Sequence, residues 1–186
     1  ERTKSYGADV ILKGDVYDEA CAYALELAEK EGFTFFHPFD DPAVATGQGT
    51  IAMEIVQELP LVDAILVPIG GGGLATGVST LAKMLNPRIK VIGVEPEGAA
   101  CMKASLEAGH VVKLPRVSTI ADGTAVQEPG DQIFPYIQEN LDEIITIKDD
   151  EGGDPLIVHD SIVALGMMDA DTLKELVALN AKAMGL

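Results

Sequence analysis

Four consecutive glycines, Gly70-Gly71-Gly72-Gly73, separate the apolar run Ala64-Ile65-Leu66-Val67 from a stretch of helical character running from about Leu74 to Leu85. Glycine admits positive φ and lets another group lie directly against main-chain N–H groups. A helix that begins immediately afterwards contributes first-turn amides without intrahelical acceptors and the positive end of its dipole. Gly70, Gly71, Gly72, Gly73 and Leu74 therefore form a candidate phosphate cradle that needs no lysine or arginine. A tight turn is the competing reading, although a plain turn seldom needs four glycines.

The spacing narrows the choice of phosphate. No Gly-Lys-Ser/Thr closes the run, and Val78 follows Gly77, so the pattern is not a P-loop. A dinucleotide site stays open, because Gly70, Gly72 and Ala75 fit GxGxxA and Glu95 ends the next strand, where a ribose-binding carboxylate would sit. The tetraglycine leaves the second half of that fingerprint degenerate.

Strand-like and helix-like segments alternate around this loop. Ala8 to Leu12 and Thr34 to Phe36 read as short strands, with a helix from about Val16 to Lys30 between them, capped by Asp15 and stopped by Gly32. Thr50 to Leu59 has helical spacing, with Ile51, Ile55 and Leu59 on one face and Pro60 as its end. Val91 to Val94 is a strand, and helices are expected at Cys101 to Ala108 and about Asp131 to Asn140, before a strand at Glu143 to Ile147. The strands are apolar on both faces, which predicts an α/β fold: an open, mostly parallel twisted sheet flanked by helices. After Lys148 the chain turns polar, and Thr172 to Met184 is expected to be helical, with Thr172 and Glu175 at capping-box spacing.

Composition removes several function classes. Thirty acidic and thirteen basic side chains give a formal charge of −17 over 186 residues, so no basic stripe exists to displace counterions from a nucleic acid. The acidic residues are scattered, as on a solvated surface. Cys21 and Cys101 belong to no CxxC or Cys/His cluster, so neither a disulfide framework nor a zinc site is expected. No segment is apolar enough for long enough to cross a bilayer, and a cytoplasmic protein with no membrane partner is expected.

Several motifs carry a more specific likeness, in this order: His37-Pro38-Phe39-Asp40-Asp41-Pro42, Gly47-Gln48-Gly49-Thr50, the tetraglycine with Leu74, Val91-Ile92-Gly93-Val94-Glu95-Pro96, and Thr119-Ile120-Ala121-Asp122-Gly123. With them, the chain from Ser5 to Asp150 resembles the threonine/serine dehydratases (threonine ammonia-lyases) and serine racemases, pyridoxal 5'-phosphate enzymes of fold type II. The resemblance implies the large-domain part of a tryptophan-synthase-β-like fold. It implies that Gly70 to Leu74 hold the cofactor phosphate and that Gly123 lies close to its ring. The implied reaction is β-elimination of a hydroxy amino acid to a 2-oxo acid and ammonia, in a homo-oligomer. It further implies that residues 1–40 are the remnant of a smaller N-terminal domain and 41–150 the cofactor-binding core, with 151–186 an atypical C-terminal segment.

The chain departs from the family pattern in ways that bear on activity. Neither a Ser-Phe-Lys motif for the Schiff-base lysine nor a Ser-Gly-Asn-His loop for the substrate carboxylate occurs, so the chain is expected to be truncated at its N-terminus. Some relatives bind a divalent cation through the equivalents of Glu95, a carbonyl near Ala99 and a carboxylate at the position of Cys101; a thiol there suits a hard cation poorly, and no metal site is assigned. Lys83 points away from the loop by spacing, while Lys13, Lys30, Lys90, Lys103 and Lys113 have surface contexts, so no catalytic residue is assigned. His37, His110 and His159 are read as structural, Ser161 as a surface or backbone-bonded group, and Cys21 as a buried small hydrophobe. Two readings follow: a portion of an ammonia-lyase that is inactive alone, or a non-catalytic phosphate-ligand or oligomerisation module with the same half-fold.

Overall fold

The computed structural model describes residues 2–14 and 17–149. They fall into two compact units, one ending at Phe36 and the other beginning at His37.

The first unit contains a short helix α1 (Arg2–Ser5) and the longer α2 (Tyr17–Glu31). Gly32, at φ 72, ends α2, and the Phe33 amide donates to the Ala28 carbonyl at 2.9 Å, the closing bond of a glycine-terminated helix. The expected strands at Ala8 to Leu12 and Thr34 to Phe36 do not form. Both segments are irregular, with Leu12 91% exposed and Phe36 76% exposed. Apolar sequence makes a strand only where a neighbouring strand takes its backbone groups, and neither segment joins the sheet β1-β2-β3. Cys21 is half-buried rather than buried, since α2 encloses no residue completely. The expected cap at Asp15 lies outside the described residues.

The second unit is built on three parallel strands, β1 (Ala64–Pro68), β2 (Lys90–Pro96) and β3 (Glu143–Ile147), in spatial order β1-β2-β3. Register pairs Leu66 with Ile92 and Gly93 with Ile144. Helices α3 (Pro42–Glu58), α4 (Gly73–Leu85), α5 (Cys101–Ala108) and α6 (Phe134–Asn140) accompany them. The central strand β2 is buried from Val91 to Pro96, as a strand covered on both faces must be. Ile65, Val67, Ile69 and Val91 join Ala75, Val78 and Ala82 of α4 and Ile133 and Ile137 near α6 in one apolar cluster. Each large aliphatic side chain so buried contributes roughly 1.5–3 kcal/mol.

Two helix boundaries differ from the sequence expectation. Helix α3 starts eight residues before Thr50, because Asp41, in extended conformation (φ −148, ψ 118), caps it by accepting from the Ala43 amide at 2.7 Å and Pro42 fits the first helical position. Its buried face is Ala45, Gly49, Ala52 and Ile55, while Leu59 lies beyond its last turn and Ile51 is only half-buried. Helix α6 starts at Phe134, with residues 131–133 forming a turn. The expected helix from Thr172 to Met184 lies outside the described residues.

Below the strands, at the end where they begin, Asp142 fastens β3 to β2. Its carboxylate accepts from Lys83 Nζ at 2.6 Å, Lys90 Nζ at 3.0 Å and the Val91 amide at 2.8 Å, and its own amide donates to the Val91 carbonyl. Desolvation raises the pKa of this carboxyl, but the hydrogen bonds from Lys83, Val91 and Lys90 outweigh it and hold the group below its ordinary value. A lowered value means stability that is present above the unfolded carboxyl pKa and lost as pH falls through the folded one. Asp142→Ala is expected to cost about 2 kcal/mol at neutral pH by urea unfolding. The difference from the parent should shrink in strong acid; a difference that stays constant down to the acid limit would show that the carboxylate's charge is not what matters.

Candidate active site

The loops leaving the carboxyl ends of β1 and β2 and the segment 119–126 meet above the sheet, the position where open parallel sheets bind ligands. The Ile69 amide donates to the Val94 carbonyl at 2.9 Å, extending the ladder one residue beyond β1. The chain then breaks away into the four glycines. Gly72 caps α4 at φ 104, a left-handed conformation that a side chain would strain. Among the described residues, no acceptor takes the amides of Gly70, Gly71, Gly72, Gly73 or Leu74, while the Thr76 amide donates to the Gly72 carbonyl and starts the helical ladder. Five consecutive N–H groups at the start of a thirteen-residue helix are a donor set suited to a phosphate.

The walls around the loop explain why it is glycine throughout. A β-carbon at position 71 would overlap the Phe39 ring, and one at 73 would stand 2.7 Å from Phe39 Cα. At position 72 it would meet Ile133 Cδ1 and Met102 Cε, both at 2.6 Å. At position 70 it would stand 3.2 Å from Thr124 Cα and 3.5 Å from the Gly123 carbonyl oxygen, so the tetraglycine and the Ala121-Asp122-Gly123 motif share one site. Gly123 lies in a single 3-10 turn, Asp122–Thr124, and a β-carbon there would meet none of the described residues beyond its chain neighbours within 4 Å. The Asp149 carboxylate steadies the approach to that turn, accepting from Thr119 Oγ1 at 2.8 Å and the Ile120 amide at 3.0 Å.

Glu95, at the carboxyl end of β2, is fully buried. Its two oxygens accept from the Met102 amide at 2.8 Å and the Lys103 amide at 2.9 Å, so it caps the first turn of α5. Burial pushes its pKa up to about 7, against the opposing pull of the Lys103 and Met102 amides and the Lys103 charge. A carboxylate committed to two helix amides is poorly placed to hold a ribose, which weighs against the dinucleotide reading. Cys101 is buried, with Sγ 3.8 Å from the Gly70 carbonyl. Among the described residues, no three His, Cys, Asp or Glu side chains gather as metal ligands.

Of the other groups singled out in the sequence, Lys83 and His110 sit away from the glycine loop. Lys83 is bound at the opposite end of the sheet by Asp142 and the Ile89 carbonyl. His110 is exposed, its Nδ1 3.1 Å from the Ala108 carbonyl. His37 is built into the loop that carries Phe39: Nδ1 accepts from the Asp40 amide at 2.8 Å, and the ring meets Phe39 edge-on, centroids 4.7 Å apart. His159 and Ser161 lie outside the described residues. Sequence reasoning gave no role to Phe39, Asp40, Ile133 or Thr124, which surround the glycines; their only signal was the presence of the first two in a quoted motif.

The family model described as pyridoxal-phosphate dependent enzyme matches residues 1–154. The chain belongs to this family. Within the pyridoxal-phosphate-dependent enzymes, it is 52% identical over 150 residues to the biosynthetic L-threonine dehydratase of Salmonella typhimurium, an alignment covering 81% of this chain and 29% of that protein. The structure of the processed form of threonine deaminase isoform 2 from Solanum lycopersicum aligns with a TM-score of 0.77 at 38% identity, over 95% of this chain and 61% of that one. Maize serine racemase aligns at 0.77 and 32% identity, over 86% and 50%. The chain thus spans under a third of the length of the Salmonella relative it matches. The helix-flanked parallel sheet is that of a fold type II pyridoxal-phosphate enzyme, and no helix among the described residues is long and apolar enough to cross a membrane.

Proposed function

We propose that this chain is the cofactor-binding portion of a pyridoxal-phosphate-dependent threonine/serine ammonia-lyase and does not turn substrate over by itself. The observation that carries the reading is the run of five amides, Gly70 to Leu74, for which no described residue supplies an acceptor. They would hold the cofactor phosphate, with the α4 dipole adding to the attraction and Phe39, Ile133 and Met102 holding the loop from behind. Gly123, with no atom of the described residues beyond its chain neighbours within 4 Å of its β-carbon direction, would leave one wall of the ring site flat.

When bound, pyridoxal phosphate supplies the electron sink for elimination of a β-hydroxyl from an amino acid. This chain's own contribution is to bind and orient the phosphate end. The Ser-Phe-Lys and Ser-Gly-Asn-His motifs for the cofactor and the substrate carboxylate do not occur in its 186 residues. Residues 1–40 would then belong to the smaller domain, 41–150 to the cofactor-binding core and 151–186 to a segment of different character. The whole enzyme would act on a small amino acid in the cytoplasm as a homo-oligomer.

The test combines binding with chemistry. Pyridoxal phosphate should bind the full chain saturably, at least about tenfold more tightly than pyridoxal, because charge-assisted bonds to the phosphate supply the difference. Borohydride reduction followed by intact-mass measurement should give no stoichiometric adduct on a single lysine, and no pyruvate or 2-oxobutyrate should accumulate from serine or threonine. Equal affinity for the two ligands would overturn the cradle; a single adduct accompanied by 2-oxo acid would overturn the inactivity.

A further inference from the structure

The glycine loop has two flanks that are distant in sequence. Phe39 lies against Gly71 and Gly73 on one side, and Ile133 lies against Gly72 on the other. The side chains of Asp40 and Gln132 connect them. Asp40 Oδ1 accepts from the Gln132 amide at 2.8 Å and the Ile133 amide at 3.3 Å, while Gln132 Nε2 donates back to the Asp40 carbonyl at 2.9 Å. Gly130 passes so close that a β-carbon there would overlap the Asp40 carboxylate, and its amide donates to the Gly71 carbonyl at 3.0 Å. Thr76 Oγ1, one turn into α4, reaches the Ile133 carbonyl at 3.5 Å. On the near side, His37 Nδ1 accepts from the Asp40 amide and fixes the backbone from which the carboxylate extends.

We infer that Asp40 is a positioning residue for the phosphate cradle, a clasp that closes the Phe39 flank onto the Gly130–Ile133 flank and so sets the spacing of the glycine amides. The inference rests on the cradle reading given above. An oxyanion is held well only by donors fixed in advance at the right separation. Among the described residues, the Gly71 carbonyl is where the loop itself is hydrogen-bonded to the far flank, and Asp40 holds that flank in place. With the clasp cut, the amides remain but their mutual geometry loosens.

A general structural role and a positioning role predict different losses. Asp40→Ala, Asp40→Asn and the parent chain are compared for affinity toward pyridoxal phosphate and toward pyridoxal, with thermal unfolding measured in parallel. Asp40→Ala should lower affinity for the phosphorylated ligand about tenfold, the worth of one charged hydrogen-bond acceptor, and leave pyridoxal affinity within about twofold. Asp40→Asn, which keeps an acceptor oxygen, should recover most of the loss. Should Asp40→Ala fail to fold, Gly130→Ala displaces the same carboxylate from the other side and should reproduce the selective loss. Parallel losses for both ligands, or no loss in a folded variant, would overturn the clasp while leaving the cradle standing. Failure of the parent chain to prefer pyridoxal phosphate over pyridoxal would overturn both.

Discussion

Gly77→Ala is expected to destabilise the second unit by about 3 kcal/mol or more, although alanine is the better helix former by about 1 kcal/mol. Position 77 lies in the second turn of α4, where that helix crosses α3, the most extensive packing between any two described elements. A β-carbon there would overlap the Ala45 carbonyl oxygen and stand 2.6 Å from the Gly49 amide nitrogen and 2.9 Å from Gln48 Cβ. Two of those three atoms belong to the α3 backbone and cannot rotate aside, so the helices themselves must separate. Separation would also move the start of α4 and the glycine loop fused to it, so affinity for pyridoxal phosphate should fall with stability. Gly47→Ala supplies the control on the same helix: apart from its chain neighbours and its own helix backbone, no atom of the described residues lies within 4 Å of its β-carbon position, and the gain in helix propensity should stabilise by up to about 1 kcal/mol. Urea unfolding of the two variants reads both effects, and equal behaviour would show that the crossing is loose enough to absorb a methyl group.

That crossing also marks where sequence reasoning stopped short. The spacing of Ile51, Ile55 and Leu59 places the start of the helix at Thr50. The structure runs α3 through Gly47 and Gly49, because Gly49 and Gly77 face each other and their missing side chains allow the two backbones to approach. Periodicity of large apolar residues cannot register a packing face made of Ala45, Gly49 and Ala52. By contrast, β1, β2 and β3 were legible, because a buried parallel strand is a short continuous apolar run bounded by turns. The same rule misread Ala8 to Leu12, where an apolar run has no described partner strand. For the candidate site, the glycines announced themselves through composition alone. Their walls did not: Phe39, Thr124 and Ile133 are ordinary residues locally, and only the fold brings positions some thirty to ninety residues apart to one loop.

Raising the pH from 5 to 8 is expected to destabilise the parent chain by up to about 3 kcal/mol through Glu95 alone, a dependence that Glu95→Gln should lack. The sign follows from the direction of the shift. Burial raises the folded pKa from 4.5 to about 7, so between these values the folded chain retains a proton that the unfolded chain has released. The associated stability is therefore complete below pH 4.5 and is lost as pH rises through about 7. Glutamine keeps one oxygen for the Met102 or Lys103 amide and leaves the other amide facing an NH2 group, which should cost about 1–2 kcal/mol at pH 5. With rising pH the parent loses stability and the variant does not, so their unfolding free energies should converge and can cross. Parallel curves would mean that the two amides and the α5 dipole compensate fully for burial, leaving Glu95 ionised at both ends of the range. The consequence reaches the site, because Met102 contributes both one of those amides and the methyl group packed against Gly72. Loosening the start of α5 should thus weaken phosphate binding in Glu95→Gln even at the pH where the two proteins are equally stable.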